Sequence, residues 1–123
     1  GGELSRLMLA LKVVLAAADP LPTLIFDEVD SGVGGATATA VGERLRRLAG
    51  ELQVIVVTHS PQVAALGRHH WRVEKSDARG NLRTAVKPLD EGGRREEIAR
   101  MLSGARVTDE ARAQAEKLMA GTQ

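Results

Sequence analysis

Residues 23–35 read TLIFDEVDSGVGG, and this stretch predicts the fold of the chain around it. Apolar residues follow Pro22 and run directly into acidic residues and then into glycines. A short apolar run between a proline and a glycine cluster indicates a buried strand of a parallel sheet. Asp27 and Glu28 then fall at the carboxyl edge of that sheet, where open α/β folds place their ligands.

The adjacent acids at this edge predict chemistry as well as structure. Neighbouring carboxylates repel each other, so a purely structural account has to explain why Asp27 and Glu28 stand together. A hydrated divalent cation held by one carboxylate, and a water deprotonated by the other, would explain both. The alternative from the residues alone is a strand that ends in a solvated acidic turn.

Length and composition fit a single globular domain of 123 residues, with 43% hydrophobic and 27% charged residues. The net charge of +1 gives no argument for a nucleic-acid surface, and the absence of cysteine excludes disulfides and thiolate metal sites. No apolar run approaches the roughly 20 residues that a membrane helix needs. Because the chain opens without an initiator methionine, we expect it to belong to a longer protein.

A first helix is predicted from Glu3 to Ala18, because apolar residues recur there at helical spacing. Two glycines before a helix leave its first amide groups open to an anion, although a chain that simply begins at a helix explains them more simply. The segment 19–22, with two prolines, is predicted to end the helix. The predicted apolar face consists of Leu4, Leu7, Met8, Leu11, Val14, Leu15 and Ala18.

Strand, helix and strand follow one another from residue 23 to residue 57, which predicts a βαβ unit with parallel strands. The helix covers about residues 36–49, and the second apolar strand covers 54–57. Val41, Leu45 and Leu48 are predicted to face inward. The arginines on the opposite face of the helix indicate a solvated surface more than a DNA-binding patch.

His59 follows the second strand, and parallel pairing places it at the same sheet edge as Asp27 and Glu28. A histidine at a strand end is either an ordinary loop residue or, beside these acids, a phosphate contact. Gly32-Val33-Gly34 also begins a dinucleotide-binding pattern, but Thr37 stands where that pattern needs glycine or alanine. The nearby carboxylates would also repel a pyrophosphate group.

The rest of the chain predicts a short helix at 62–66 and a hairpin with strands at 69–75 and 82–87. A metal site at His69-His70 has little support, because adjacent side chains on a strand point to opposite faces. Gly92-Gly93 is predicted to be a linker into a helix at 94–102. Thr108 is predicted to cap a last helix that ends near Ala120.

The segments GGELSR, LIFDEVDSGVGG and VIVVTHSPQVAA, in this order, resemble parts of an ABC-type ATPase head: the end of the signature motif, the Walker B strand with the D-loop, and the switch histidine. DEVDSGVGG, with VTHSPQVAALGRHHWRVEK and EEIARMLSG, is similar to the RecN family of SMC-like bacterial proteins that repair DNA double-strand breaks. The resemblance covers nearly the whole chain. It implies an α/β fold, the carboxyl-terminal lobe of an ABC/SMC-type P-loop ATPase head, with parallel strands, flanking helices and a β-hairpin.

The resemblance also implies roles at the matching positions. Asp27 would bind Mg²⁺, Glu28 would be the catalytic base for the hydrolytic water, and His59 would contact the γ-phosphate during catalysis. Further contacts to ATP are implied for the end of the signature motif, which faces the nucleotide of the opposite subunit, and for the D-loop at the dimer seam. These residues are Gly1, Gly2 and Glu3, and then Ser31, Gly32 and Gly34.

No G-x-x-x-x-G-K-[ST] motif occurs in the 123 residues, so the β- and γ-phosphates have no P-loop here. The resemblance therefore implies that residues 1–123 are the carboxyl-terminal half of a head, completed by an amino-terminal Walker A half and by a second head in a homodimer. We expect the chain alone to hydrolyse no ATP. The full-length protein would act on DNA in the bacterial cytoplasm and on the nucleoid, with no membrane partner.

Two departures and two alternatives remain at this stage. The chain begins inside the signature motif, and Gly34 stands where the wider ABC class usually has Asp. One alternative is an ATP-gated structural clamp with little turnover. The other is the ATPase subunit of an ABC transporter, which would have proline where Val29 stands.

Overall fold

The computed structural model describes residues 2–18 and 23–121 and shows a mixed α/β fold. The predicted helix end at 19–22 and the predicted phosphate contact at Gly1 lie outside the described residues. None of the described helices is long and apolar enough to cross a membrane. The elements are α1 (Gly2–Ala18), β1 (Thr23–Asp27), α2 (Gly35–Leu48), β2 (Gln53–Val57), α3 (Pro61–Leu66), β3 (Trp71–Ala78), β4 (Asn81–Pro88), α4 (Glu91–Ser103) and α5 (Asp109–Ala120).

The βαβ prediction is confirmed, because β1 and β2 pair in parallel with Asp27 opposite Val57. The inward face predicted for α2 is also confirmed, and its arginines are exposed. Leucine and valine side chains dominate the core between these elements, as the low aromatic content requires. The buried members of this first core are Leu9, Leu24, Phe26, Val29, Ala38, Val41, Leu45, Leu48 and Val63.

The two strands are covered on one face only among the described residues, so the sequence prediction of a buried strand holds for alternate side chains. Leu24 and Phe26 are buried, whereas Ile25 between them is 61% exposed. On β2, Ile55 and Val57 are also exposed. The buried residues of α1 and α2 join the cluster of Leu24 and Phe26, so the opposite face has no cover among the described residues.

The apolar face predicted for α1 does not turn toward the core. Leu4, Leu7, Met8, Leu11 and Val14 are between 46% and 67% exposed. Leu9 is 3% exposed instead, and Lys12 lies over the Phe26 ring with its Nζ 4.7 Å from the ring centroid. The spacing predicted the helix correctly, but periodicity does not reveal whether the partner of an apolar face belongs to the same segment. The side chains of Leu15 and Ala18 lie outside the described part of the chain.

β3 and β4 form the predicted antiparallel hairpin, with Trp71 opposite Pro88 and Ala78 opposite Asn81. The predicted polar turn at 76–81 is too long, because only Arg79 and Gly80 connect the strands. Both have positive φ, 59° and 78°, which is the geometry of a tight two-residue hairpin turn. His69 and His70 precede β3 instead of beginning it.

The linker predicted at Gly92-Gly93 is wrong, because both glycines lie in the first turn of α4. The Asp90 carboxylate accepts a hydrogen bond from the Gly93 amide at 2.7 Å, and this cap offsets the low helix propensity of glycine. The cap predicted at Thr108 is confirmed by a 3.1 Å bond from the Ala111 amide. Helices α4 and α5 share a second core of Ala65, Ile98, Ala99, Ala111 and Ala115.

Candidate functional site

The site is built where β1 and β2 end at the same sheet edge. The Glu28 amide donates a hydrogen bond to the Val57 carbonyl at 3.0 Å, which extends the pairing one residue beyond β1. Glu28 then adopts a φ of 54°, in the left-handed region that side chains with a Cβ disfavour. A residue held in this region costs of order 1–3 kcal/mol, and such strain is common at functional sites.

Glu28 and His59, which the sequence predicted at one edge, lie together. His59 Nε2 is 3.4 Å from Glu28 Oε1, and the two side chains are 90% and 56% exposed. Both groups therefore reach a molecule that approaches from solvent. A carboxylate beside an imidazole is an arrangement that can accept a proton from water and donate a hydrogen bond to an anion.

Asp27 precedes Glu28 at the end of β1 and is exposed. In residues 2–18 and 23–121 its carboxylate has neither a hydrogen-bond partner nor a cationic partner. An open carboxylate is a suitable ligand for Mg²⁺, which takes oxygen ligands and keeps several of its waters. Asp27 could therefore supply one ligand to a magnesium ion, and the other ligands would come from elsewhere, because the described residues contain no group of three His, Cys, Asp or Glu side chains that could hold a metal ion.

The loop after Glu28 turns tightly and contains the predicted D-loop residues. The Ser31 amide donates to the Glu28 carbonyl at 3.0 Å, and Gly32 has a φ of 77° that favours glycine. Gly34 is different, because its backbone is extended and a Cβ there would meet open space. Neither backbone conformation nor packing within the described chain requires glycine at position 34.

The start of α1 lies against the same loop. A Cβ on Gly2 would collide with the Ser31 carbonyl oxygen, so the close approach depends on glycine. Glu3 follows in the first turn of the helix and is exposed. The structure thus places Gly2 beside Ser31 and Gly32, while the contacts that the resemblance implies for Glu3 and Gly34 stay a prediction.

A shallow cleft of about 360 Å³ opens at this edge and is lined by four of the predicted residues: Glu28, Ser31, Gly32 and His59. Asp27, Gly2, Glu3 and Gly34 lie outside its lining. The cleft also includes Asp30, Ser60 and Gln62, which sequence reasoning did not select.

Asp30 is the most informative residue that the sequence prediction missed. It is 6% exposed, and the Thr58 hydroxyl donates a hydrogen bond to its Oδ2. The Thr58 oxygen in turn accepts a bond from the Ser60 amide at 2.9 Å. The third acid of DEVD and the threonine before His59 were visible signals, but their pairing depends on the register of two strands.

A second cleft, of about 630 Å³, lies at the base of the hairpin among His70, Trp71, Arg94 and Arg95. Burial lowers the pKa of His70 below its ordinary value of 6.5. Three carboxylates, of Asp90, Glu91 and Glu116, balance the cations there, so this cleft has no single preferred charge for a ligand.

The comparisons with known proteins concern the fold and the sequence as a whole. No model of a protein family matches the chain. A solved chain described under "ATP-driven dimerization and DNA stimulated activation of SMC ATPases" superposes with a TM-score of 0.65, over 86% of this chain and 63% of that chain, at 21% identity. The fold is therefore that of an SMC-type ATPase head.

Similarity in sequence is closer to DNA repair proteins named RecN. The chain is 52% identical to RecN of Streptomyces coelicolor over 119 residues, which is 97% of this chain. It is 51% identical to RecN of Deinococcus radiodurans over 121 residues and to RecN of Xylella fastidiosa over 119 residues. The chain is therefore similar to RecN proteins over nearly its whole length, and it spans 21% of the length of these relatives.

Proposed function

We propose that the chain is the carboxyl-terminal half of an ATP-binding and ATP-hydrolysing head that serves the repair of DNA double-strand breaks. The observation that carries the proposal is the pairing of Glu28 with His59 at 3.4 Å, directly after the unpartnered Asp27. The RecN relatives and the SMC-type fold support the same function. Its setting would be the bacterial cytoplasm and, on DNA, the nucleoid.

Each residue at the edge then has a distinct task. Asp27 would hold Mg²⁺, which neutralises charge on the β- and γ-phosphates when it is bound. Glu28 orients the attacking water and accepts its proton, since its exposed carboxylate lines the cleft, whereas the Asp30 carboxylate there is buried and already accepts a bond from Thr58. His59 donates a hydrogen bond to the γ-phosphate, and its open position leaves it free to do so.

The remaining predicted contacts belong to a second head. Gly2 lies beside Ser31 and Gly32, and the surface that these residues form with the exposed Glu3 would face the γ-phosphate of ATP held by the opposite subunit of a homodimer. Backbone amide groups at a helix start and a glycine-rich turn suit an anion. Gly34 would lie at the seam without the contacts of an aspartate side chain.

The exposed apolar surfaces support the amino-terminal Walker A half as a partner. The outer faces of α1 and of the β1–β2 sheet present Leu4, Val14, Ile25 and Val57 to solvent, each at least 50% exposed. Apolar patches of this kind on a protein surface mark interfaces. The cover would come from the four-fifths of a RecN protein that this chain does not span.

The clamp alternative uses the same residues but needs no turnover. The ratio of ATP turnover to ATP-dependent dimerisation separates a clamp from a hydrolase. The transporter alternative has no support from the relatives, because those reported above are DNA repair proteins.

The test is Glu28→Gln in a full-length RecN protein that carries this segment. The amide is nearly isosteric and leaves Asp27 unchanged, so ATP binding should persist. Loss of the base should lower turnover by about 10²–10⁴-fold. Heads that bind ATP without hydrolysing it should accumulate as dimers in light scattering.

Glu43→Gln is the matched control, because Glu43 is an exposed acid on α2 away from the cleft. Its turnover should equal that of the unchanged protein. A normal rate for Glu28→Gln would show that Glu28 is not the base, and the proposed function would lose its main support.

A further inference from the structure

The two loops that hold Glu28 and His59 are joined at the cleft by a network of hydrogen bonds through Asp30, Thr58 and Ser60. The Thr58 hydroxyl donates to the Asp30 carboxylate and accepts from the Ser60 amide at 2.9 Å. Ser60 then begins α3, where its hydroxyl oxygen accepts from the Val63 amide at 3.4 Å. This network of hydrogen bonds therefore runs from the loop after β1, across the sheet edge, to the start of a helix.

The position of the His59 backbone depends on this hydrogen-bond network. Its side chain is 90% exposed, and within the described residues its one ion-pair partner is Glu28. Packing therefore does not fix the position of the imidazole. The residues on either side, Thr58 and Ser60, are half-buried and both belong to the hydrogen-bond network. The backbone at position 59 is thus held from both sides while the imidazole projects into solvent.

The same hydrogen-bond network also restrains Glu28, through the loop that follows β1. Asp30 stands two residues after Glu28 and is 6% exposed. The Ser31 amide, next to Asp30, donates to the Glu28 carbonyl at 3.0 Å. A side chain that fixes Asp30 therefore restrains the strained backbone of Glu28 as well.

A buried carboxylate is costly unless hydrogen bonds or a cation compensate its charge. Within the described residues Asp30 has no cationic partner, so the Thr58 hydroxyl is its recorded compensation. Asparagine or threonine would hold a loop at lower cost. Retaining a charge here strengthens the bond, since hydrogen bonds to ionised acceptors are roughly twice as strong as neutral ones.

We infer that Asp30 and Thr58 are positioning residues that couple the 30–35 loop to the 58–60 loop and set His59 against Glu28. The inference rests on the proposed function and adds two residues that position its proposed base and its proposed phosphate contact.

The experiment compares Thr58→Val with Thr58→Ser in a full-length RecN protein that carries this segment. Valine keeps the shape and removes the hydroxyl, whereas serine keeps the hydroxyl. Misplacement of a reacting group by about 1 Å can cost 10²-fold, so kcat of Thr58→Val should fall by about 10- to 100-fold. The KM for ATP should stay within about threefold, and Thr58→Ser should recover most of kcat.

Thr39→Val is the control, because the Thr39 hydroxyl bonds the Gly35 carbonyl of its own helix at 3.2 Å and does not reach the cleft. It should leave kcat unchanged. Asp30→Asn keeps an acceptor but removes the charge, so its kcat should fall between those of the unchanged protein and Thr58→Val. In the double variant Asp30→Asn, Thr58→Val the losses should not add, because both changes break the same bond.

A normal kcat for Thr58→Val, equal to that of Thr39→Val, would overturn the coupling and leave the proposed function intact. An equal rise in KM and fall in kcat for Thr58→Val but not for Thr58→Ser would also overturn it, because the hydroxyl would then serve binding. If Thr58→Val does not fold, Asp30→Asn decides, and a normal kcat there overturns the inference. Absence of ATP turnover in the unchanged protein would instead refute the proposed function.

Discussion

Acidic residues paired with arginine are concentrated in one part of the molecule, whereas the three acids at the sheet edge have no such partner among the described residues. In the carboxyl-terminal region, residues 71–121, Glu96, Glu97 and Glu116 each have a carboxylate oxygen within 3.0 Å of an arginine nitrogen. In the sheet-edge region, residues 23–66, Asp27 and Asp30 have no cationic partner among the described residues, and Glu28 has only His59.

This difference separates acids that stabilise contacts between elements from Asp27 and Glu28, for which we propose an external ligand. A carboxylate balanced by an arginine of the same chain adds to the contacts between elements, as Glu96 does between α4 and α5. A carboxylate left unbalanced at the end of a strand adds repulsion to the folded state. It is retained at no benefit to stability, which supports a function that depends on an external cation or proton.

The hydrophobic cores of the two regions also differ in the size of their side chains. The sheet-edge core uses leucine, valine and phenylalanine, and it leaves one face of the sheet exposed. The carboxyl-terminal core is rich in alanine, and Ile98 is its single large side chain with no exposure in the described residues. Small residues let α4 and α5 approach closely, whereas the hairpin of the same region leaves Trp71, Val73, Leu82 and Val86 at least 54% exposed.

Among the changes that test this comparison, the largest expected effect comes from Asp27→Asn, which removes the open carboxylate at the edge. Turnover should require a Mg²⁺ concentration at least about 10- to 100-fold higher, the loss that follows even from removal of a supporting group near a metal. ATP-dependent dimerisation should weaken with it. The measurement is ATP turnover over a magnesium titration in a full-length RecN protein that carries this segment.

Glu116→Gln is the matched change in the other region, where Glu116 already pairs with Arg95. It should leave the magnesium requirement unchanged. If both substitutions shift the requirement equally, the contrast between paired and unpaired acids has no functional meaning.

Ile98→Ala should be the most destabilising change in the carboxyl-terminal region, because Ile98 has no exposed surface. Removal of a buried isoleucine side chain to Cβ costs about 2–5 kcal/mol in unfolding free energy. Ile98→Val should cost only about 0.5–1.5 kcal/mol. Urea unfolding monitored at Trp71 gives both values, and equal midpoints for the two variants would contradict the packing described here.

The pairing of Glu97 with Arg100 predicts a smaller effect on the free energy of unfolding, and this effect depends on pH. Two hydrogen bonds from Arg100 hold the pKa of Glu97 below its ordinary value of 4.5, although the side chain is only 6% exposed. The stabilisation is present above that pH and is lost as pH falls through the lowered pKa, because the folded state must then take up the proton.

Glu97→Gln should therefore lower the unfolding free energy by about 1–3 kcal/mol at neutral pH. The difference from the unchanged protein should shrink below the ordinary glutamate pKa of 4.5. Urea unfolding at a series of pH values measures it. A difference that grows toward acid pH would mean that the carboxylate destabilises the fold.

Much of the local structure follows from short-range rules that the sequence displays. The alternation from apolar run to helix to apolar run specified the parallel pairing of β1 with β2, because a crossover of this length leads back in parallel. Thr108 specified the start of α5, since its hydroxyl accepts a bond that the helix itself cannot supply. Gly92 and Gly93 misled the prediction, because the cap that keeps them helical comes from Asp90.

The sequence by itself determined which residues reach the sheet edge, since the carboxyl ends of parallel strands meet there. Only the tertiary structure decided that His59 faces Glu28 and that Thr58 bonds Asp30, 28 residues away. It also decided that Leu9 of α1 enters the core while Leu4 and Val14 face solvent. Periodicity reports the chemistry of a face, but burial and long-range bonds depend on which surfaces meet, and local sequence does not carry that information.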